Sequence, residues 1–365
     1  MEQRIGELVK WLKKENVSFA FITSTANIFY VSNFYTNPHE RIAGVCLFQD
    51  EEPFLICPKM EMTAAKNAGW GYEIIGYDDT DNPWEFVQKA VQKRKIDVHT
   101  IAVEKGHLTF EHVEKLQTIF PNTSFKAIEE KLNELRLIKD ENELAILREA
   151  AKLADFGVEV GISAIKEGKT ELEIVAKIEY ELKSKGIREM SFATMVLTGA
   201  KTALPHGVPN LEIIEKGEFV LFDLGVVLDG YCSDITRTVA YHSVTDQQRE
   251  IYETVLKAQL VAVQESKPGV EIGKVDHIAR DIISEAGYGE FFTHRIGHGL
   301  GIDVHEFPSL HSANQDFLKT GMTFTIEPGI YVPNVGGVRI EDDIYIAENG
   351  RVVLTKYPKE LQIIK

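Results

Sequence analysis

Apolar positions first recur at helical spacing, at Ile5, Leu8, Val9 and Leu12, then gather into runs of strand length at residues 19–22, 42–48 and 54–56. Helical spacing returns over Pro83–Lys93 and residues 109–119, with a strand-like run at 101–103 between them. This mixture predicts an α/β unit over residues 1–130. His39, His99, His107 and His112 are scattered through it without carboxylates at ligand spacing, so no chemistry is assigned to them. The charged stretch 129–136 marks the expected boundary, and residues 131–365 form the second, larger unit.

The second unit opens on a long helix, about residues 139–166. Asp140 and Glu143 supply a capping box for it, and Ile138, Leu144, Leu147 and Ala151 its apolar period. A helix over 170–185 follows, started by Thr170 and Glu173 and ended by Gly186. Two further helices, Asp246–Glu265 and Ile272–Glu285, separate two blocks rich in β-branched residues. Helices covering a curved antiparallel sheet, an α+β arrangement, is what this order predicts.

The two β-rich blocks share one pattern. Gly217 precedes Asp223 by six positions, Gly225 follows that acid by two, and Gly230 precedes Asp234 by four. Gly321, Glu327, Gly329, Gly337 and Glu341 repeat those spacings, which reads as a duplication with two acids per half. Asp229-Gly230 is a strong two-residue hairpin signal. That turn pairs Leu228 with Tyr231 and puts Gly225 opposite Asp234. Asp223 and Asp234 then lie diagonally on one strand face, roughly 7–8 Å apart at the backbone, with Gly225 leaving space between them. Phe219 and Leu221 share that face, so Asp223 is expected to be buried. Four converging buried acids repel one another and demand positive charge. Arg237 or Arg339 could pair with one acid; metal ions answer the remainder better.

Composition limits the alternatives. Forty Lys and Arg against 56 Asp and Glu give a formal charge of −16, which repels phosphate backbones, and no basic cluster overrides it, so no nucleic-acid partner is expected. No apolar run approaches the ~18–20 residues that span a membrane. Cys46, Cys57 and Cys232 lack paired spacing, which fits a reducing compartment, and the opening residues lack the apolar core of a signal peptide. A cytoplasmic location is expected.

A further ligand is sought between the acid hairpins, where His294, His298 and His305 stand among Gly297, Gly299 and Gly301. Arg295 occupies the place where a zincin helix needs glutamate, and the glycines oppose a helix, so a tight turn or strand edge is expected. His206, with proline three residues on, echoes His305 with Pro308.

The stretch from His294 to Glu306 resembles the signature of the proline-specific peptidases of the pita-bread fold, prolidase and aminopeptidase P. Residues 135–139 are similar to that family's entry into its catalytic domain, and the N-terminal unit more loosely resembles its creatinase-like domain. The resemblance implies a curved antiparallel sheet covered by helices, with an internal pseudo-twofold repeat. It implies five ligands to two divalent metals, supplied here in order by Asp223, Asp234, His298, Glu327 and Glu341. Asp223 would bind one metal, His298 and Glu327 the other, and Asp234 and Glu341 would bridge. Oxygen-rich donors suit Mn²⁺, with Co²⁺ or Zn²⁺ as alternatives. Glu327 is the candidate base and His206 the candidate oxyanion donor. His305 and His294 are expected to orient substrate or carry a proton to the leaving proline nitrogen. Arg339, two residues before Glu341, is expected to brace a bridging carboxylate or the substrate.

The expected reaction is hydrolysis of the bond between an N-terminal residue and proline, most simply in Xaa-Pro dipeptides, with longer Xaa-Pro peptides as the alternative. Residues 299–326 hold no arginine and only Lys319, so an anchor for a dipeptide's carboxylate is sought in Arg339, His305, the N-terminal unit or a partner subunit. Creatinase chemistry is disfavoured because all five ligands are present. Methionine aminopeptidases share the ligands but usually lack so large an N-terminal unit, and a non-catalytic binding relative tends to lose ligands. A homodimer is implied by the resemblance alone.

Overall fold

Capping residues fix where the long helices begin. Asp140 accepts from the backbone N–H groups of Asn142 and Glu143 while Glu143 reaches back, and the helix runs Glu141–Ser163. Thr170 and Thr245 form the same reciprocal caps for Glu171–Ser184 and Asp246–Glu265, and Ile272–Glu285 completes the second pair. The computed structural model describes residues Met1–Lys365 and divides into two compact units, Met1–Arg136 and Leu137–Lys365.

The first unit is a six-stranded mixed sheet. Its order is Glu73–Tyr77, Phe54–Pro58, Gly44–Phe48, Phe19–Ile22, Thr100–Val103 and Ser124–Ala127. The three central runs are buried along their whole length, which explains their unbroken apolar character. Phe19, Phe48, Phe54 and Trp84 anchor its core. The unit also holds helices Thr25–Ser32 and Glu129–Leu137, neither of which the sequence pattern suggested. The first is buried nearly all round and so has no period, and the second is dominated by charged positions, with only Leu132 and Arg136 buried.

In the second unit each half runs a helix pair, a strand and an acid-bearing hairpin. Met195–Thr198 pairs antiparallel with Phe219–Leu224, which pairs with Ile235–Tyr241. Gly297–Gly299 pairs antiparallel with Thr323–Ile326, which pairs with Asp342–Ala347. Each helix pair covers its own hairpin: Ala154, Val158 and Ile178 pack with Val220 and Phe222, and Ala258, Ala262 and Ile283 with Phe324 and Ile344. Each fully buried valine, isoleucine or phenylalanine among them contributes about 1.5–3 kcal/mol, and each alanine methyl less. The halves are stitched along Thr236–Thr238 and Arg339–Glu341: the Glu341 N–H donates to the Thr236 carbonyl, and the Thr238 hydroxyl to the Arg339 carbonyl. That seam brings the acids of both hairpins together.

The hairpin register is the expected one. Asp229 and Gly230 both take positive φ, 46° and 85°, and Leu228 pairs with Tyr231. Asp223 stands opposite Thr236. Gly225, however, does not open space between the two aspartates. A Cβ there would lie 1.8 Å from the Ser233 carbonyl oxygen, so the glycine is required by a close backbone crossing. The second hairpin also differs in detail. Ile326 pairs with Asp342 and Gly329 with Arg339, one register across the break, which sets Glu327 directly opposite Glu341 rather than diagonal to it.

Candidate metal centre

Strand parity turns Asp223, Asp234, Glu327 and Glu341 towards one cavity of about 410 Å³, which His206, His294, Arg295, His298, His305 and Arg339 also line. His298 arrives on the short strand Gly297–Gly299, not on a helix. Side chains at the flanking glycines would strike the Thr325 and Phe307 carbonyls at 2.0 and 2.1 Å, so glycine is what lets the strand enter. The ligand atoms of Asp234, His298 and Glu341 lie within 4.8 Å of one another, and His298 Nε2 is 3.5 Å from Glu327 Oε1 and 3.7 Å from Asp234 Oδ2.

The tautomer of His298 follows from its partners. Nδ1 faces the Gly299 carbonyl at 3.1 Å and must donate to it, which leaves the Nε2 lone pair pointing at carboxylates. Burial holds this imidazole down to about 3, so it does not supply a proton to relieve that repulsion. Burial raises the Asp234 and Glu341 carboxyls far above their usual range, with neighbouring acids adding to it. Glu327 is pushed up to about 8, by burial first and then by Asp223, against the pull of Arg339. Asp223 Oδ1, Asp234 Oδ1 and Glu341 Oε1 are buried without a hydrogen-bond partner. Three orphaned carboxylate oxygens and one imidazole lone pair facing one cavity form a donor set that divalent cations fit.

The arginines divide the work in a way the sequence left open. Arg237 faces away from the cavity. Its guanidinium pairs with buried Asp342 at 2.8 Å and donates to the carbonyls of Thr236, Glu341 and Tyr357, holding the backbone of Glu341 from behind. Arg339 pairs with Asp223, and also donates to the Thr236 hydroxyl at 3.1 Å and to Tyr331 Oη at 3.0 Å. Contrary to expectation it therefore braces Asp223 rather than Glu341 or Asp234, and its donors are committed within the protein. Thr236 in turn donates to Glu341 Oε2 at 2.6 Å.

His294 lines the cavity with both nitrogens engaged: its Nδ1–H donates to the Arg295 carbonyl at 2.8 Å and its Nε2 accepts from Tyr331 Oη at 2.8 Å. Burial lowers this ring to about 4, consistent with a neutral imidazole. His206 and His305 remain accessible at the cavity, the His305 ring centroid 4.1 Å from that of His298.

Three participants were missed from sequence. Tyr331 links His294 to Arg339. Asp343, buried, accepts the Asp234 N–H at 3.1 Å, and its position two residues after Glu341 on the same strand was a usable signal. Arg295 lines the cavity, donates to the Ser309 hydroxyl at 2.9 Å, and pairs with no carboxylate.

Comparison with known proteins agrees with this geometry. Residues 145–348 match metallopeptidase family M24, and residues 4–138 match the creatinase/prolidase N-terminal domain. A putative dipeptidase of Bacillus subtilis, YkvY, is 56% identical over 361 residues, covering 99% of each chain. Among solved structures, the prolidase of Pyrococcus horikoshii OT3 superposes with a TM-score of 0.92 at 36% identity, covering 99% of this chain and 100% of its own. An Xaa-Pro dipeptidase from Bacillus anthracis matches with a TM-score of 0.92 at 36% identity, covering 100% of this chain and 99% of its own. The creatinase-like N-terminal unit and the pita-bread C-terminal unit are thus both present.

Proposed function

The chain belongs to metallopeptidase family M24, and from that premise we propose that this hydrolase cleaves Xaa-Pro dipeptides with two divalent ions, Mn²⁺ in the cell. The observation that carries the metal reading is the set of orphaned oxygens, Asp223 Oδ1, Asp234 Oδ1 and Glu341 Oε1, gathered around the lone pair of His298. Asp223, Asp234, His298, Glu327 and Glu341 would hold the ions. Bound there, the ions supply Lewis acidity for the scissile carbonyl and make water acidic enough to attack near neutral pH.

The remaining chemistry belongs to side chains. Glu327 Oε1, 3.5 Å from His298 Nε2, is the base that takes the water's proton. His206, at the cavity edge, donates to the developing oxyanion, and His305 delivers a proton to the departing proline nitrogen, which as a tertiary amide must be protonated to leave. The free amine of the substrate faces the acids. Arg295 is the cavity cation without a carboxylate partner, whereas Arg339 is held by Asp223, so Arg295 receives the substrate's terminal carboxylate. A carboxylate anchor inside a small cavity favours a dipeptide over a longer chain. The buried free thiols of Cys46, Cys57 and Cys232 fit a cytoplasmic setting, and a homodimer is carried over from the resemblance.

Turnover of Xaa-Pro against Xaa-Pro-Yaa with Mn²⁺ tests the reading. The dipeptide is expected to be preferred, and Arg295→Met is expected to reduce kcat/KM for it by about tenfold or more, the loss of a charged hydrogen bond. Equal use of both peptides by the wild type would move the assignment to an aminopeptidase.

A further inference from the structure

We infer that Asp276 and Arg280, an ion pair on the helix Ile272–Glu285, set the position of the segment that presents His294 and Arg295 to the cavity. Asp276 is fully buried. Arg280 grips it through two nitrogens, Nε to Oδ2 at 3.0 Å and Nη2 to Oδ1 at 3.1 Å, as their spacing on one helix face allows. A buried ion pair is weak evidence of stabilisation, because desolvation offsets the attraction. What distinguishes this pair is where its other hydrogen bonds go.

Arg280 Nη1 donates to the Phe292 carbonyl at 2.9 Å and Nη2 to the His294 carbonyl at 2.9 Å, and the guanidinium lies 4.3 Å over the Phe292 ring. Asp276 Oδ1 accepts the Ile296 N–H at 3.0 Å. The pair therefore holds the main chain at 292, 294 and 296. Arg295 is fixed on both sides, at the carbonyl before it and the N–H after it. The Ile296 carbonyl continues the connection by accepting the Glu327 N–H at 2.8 Å. Neither Asp276 nor Arg280 lines the cavity, so both act through this segment as positioning residues. The work requires a planar fork: lysine could neutralise Asp276 but could not hold two carboxylate oxygens and two carbonyls together.

The inference rests on the reading of Arg295 as the carboxylate anchor, and Arg280→Lys tests it. Bound Mn²⁺ per chain, thermal midpoint, and KM and kcat for an Xaa-Pro dipeptide are measured on the variant. Charge retention should keep the metal content and leave the midpoint close to that of the wild type. KM is expected to rise about tenfold while kcat stays within a few-fold, since misplacement of a binding group by ~1 Å is costly. A wild-type KM in the folded variant overturns the inference. If Arg280→Lys does not fold, Asp276→Asn, which keeps an acceptor for the Ile296 N–H but loses the ionic grip, is judged by the same KM criterion. Arg295→Met run alongside separates the two readings. A raised KM there beside a wild-type KM in Arg280→Lys refutes the clamp alone. An unchanged KM in Arg295→Met refutes the anchor, and the clamp's purpose with it.

Discussion

Raising the pH of the metal-free protein from about 6.5 to about 8 is expected to lower its thermal midpoint by about 2–4 °C. The magnitude follows from the acid cluster. Burial, reinforced by Asp223 and opposed by Arg339, raises Glu327 from 4.5 to about 8. Between those values the folded chain keeps a proton that the unfolded chain has released. Stability conferred by that proton is complete below the ordinary carboxyl pKa and is lost as pH rises through about 8, at about 1.4 kcal/mol per pH unit. Over the window chosen, Glu327 accounts for a loss of ~2 kcal/mol, and a domain of this size moves ~2–4 °C per kcal/mol. Asp234, raised by burial and then by Glu341, and Glu341, raised by burial and then by Glu327, act in the same direction. His298 and His294, lowered by burial to about 3 and about 4, work oppositely. Each is still about half protonated in the unfolded chain at pH ~6.5, so across the window each returns only ~0.4 kcal/mol, and the pair reduces the net loss to ~1 kcal/mol without reversing it. Circular-dichroism melts of chelator-treated protein at the two pH values give the slope, and Glu327→Gln should make it shallower by ~2 kcal/mol. A metal-free midpoint that is flat or rises across this window, or parallel slopes for wild type and Glu327→Gln, would refute the reasoning.

Two further substitutions probe separate parts of the account. His206→Ala should leave metal content and thermal midpoint unchanged while kcat falls ~10²–10³-fold, as for loss of an oxyanion donor, and an unchanged kcat dismisses that role. Gly225→Ala puts a Cβ 1.8 Å from the Ser233 carbonyl and should cost ~3 kcal/mol or more; urea unfolding checks it, and a near-neutral result would mean that the crossing relaxes easily.

Much of this was legible in the sequence because local chemistry and tertiary structure agree. Asp140, Thr170 and Thr245 carry their own helix starts, and Asp229-Gly230 carries the hairpin register. Helices missed include two whose pattern is set by surroundings: Thr25–Ser32 is enclosed on most sides, and Glu129–Leu137 buries little besides Leu132 and Arg136. At the site, parity brought four acids to one face but could not say what fills the space beside them, and Gly225 faces a carbonyl instead. Parity also contains the division of the arginines, since Arg237 alternates away from Asp234 and Thr236. The hydrogen bonds of His294 Nε2 to Tyr331 and of Arg295 to Ser309 depend on partners distant in sequence, and no local pattern encodes them.

The central claim, that acids from two related hairpins and one histidine hold a pair of catalytic cations, is tested most directly by counting metal. Wild-type protein and Asp234→Asn are loaded with Mn²⁺, freed of excess by gel filtration, and assayed for manganese per chain and for Xaa-Pro hydrolysis. Two ions per active wild-type chain, with at least one ion and the activity lost in Asp234→Asn, is the result predicted. Full turnover by a wild-type chain that retains no divalent ion, or an Asp234→Asn chain that keeps both ions and full activity, would contradict it.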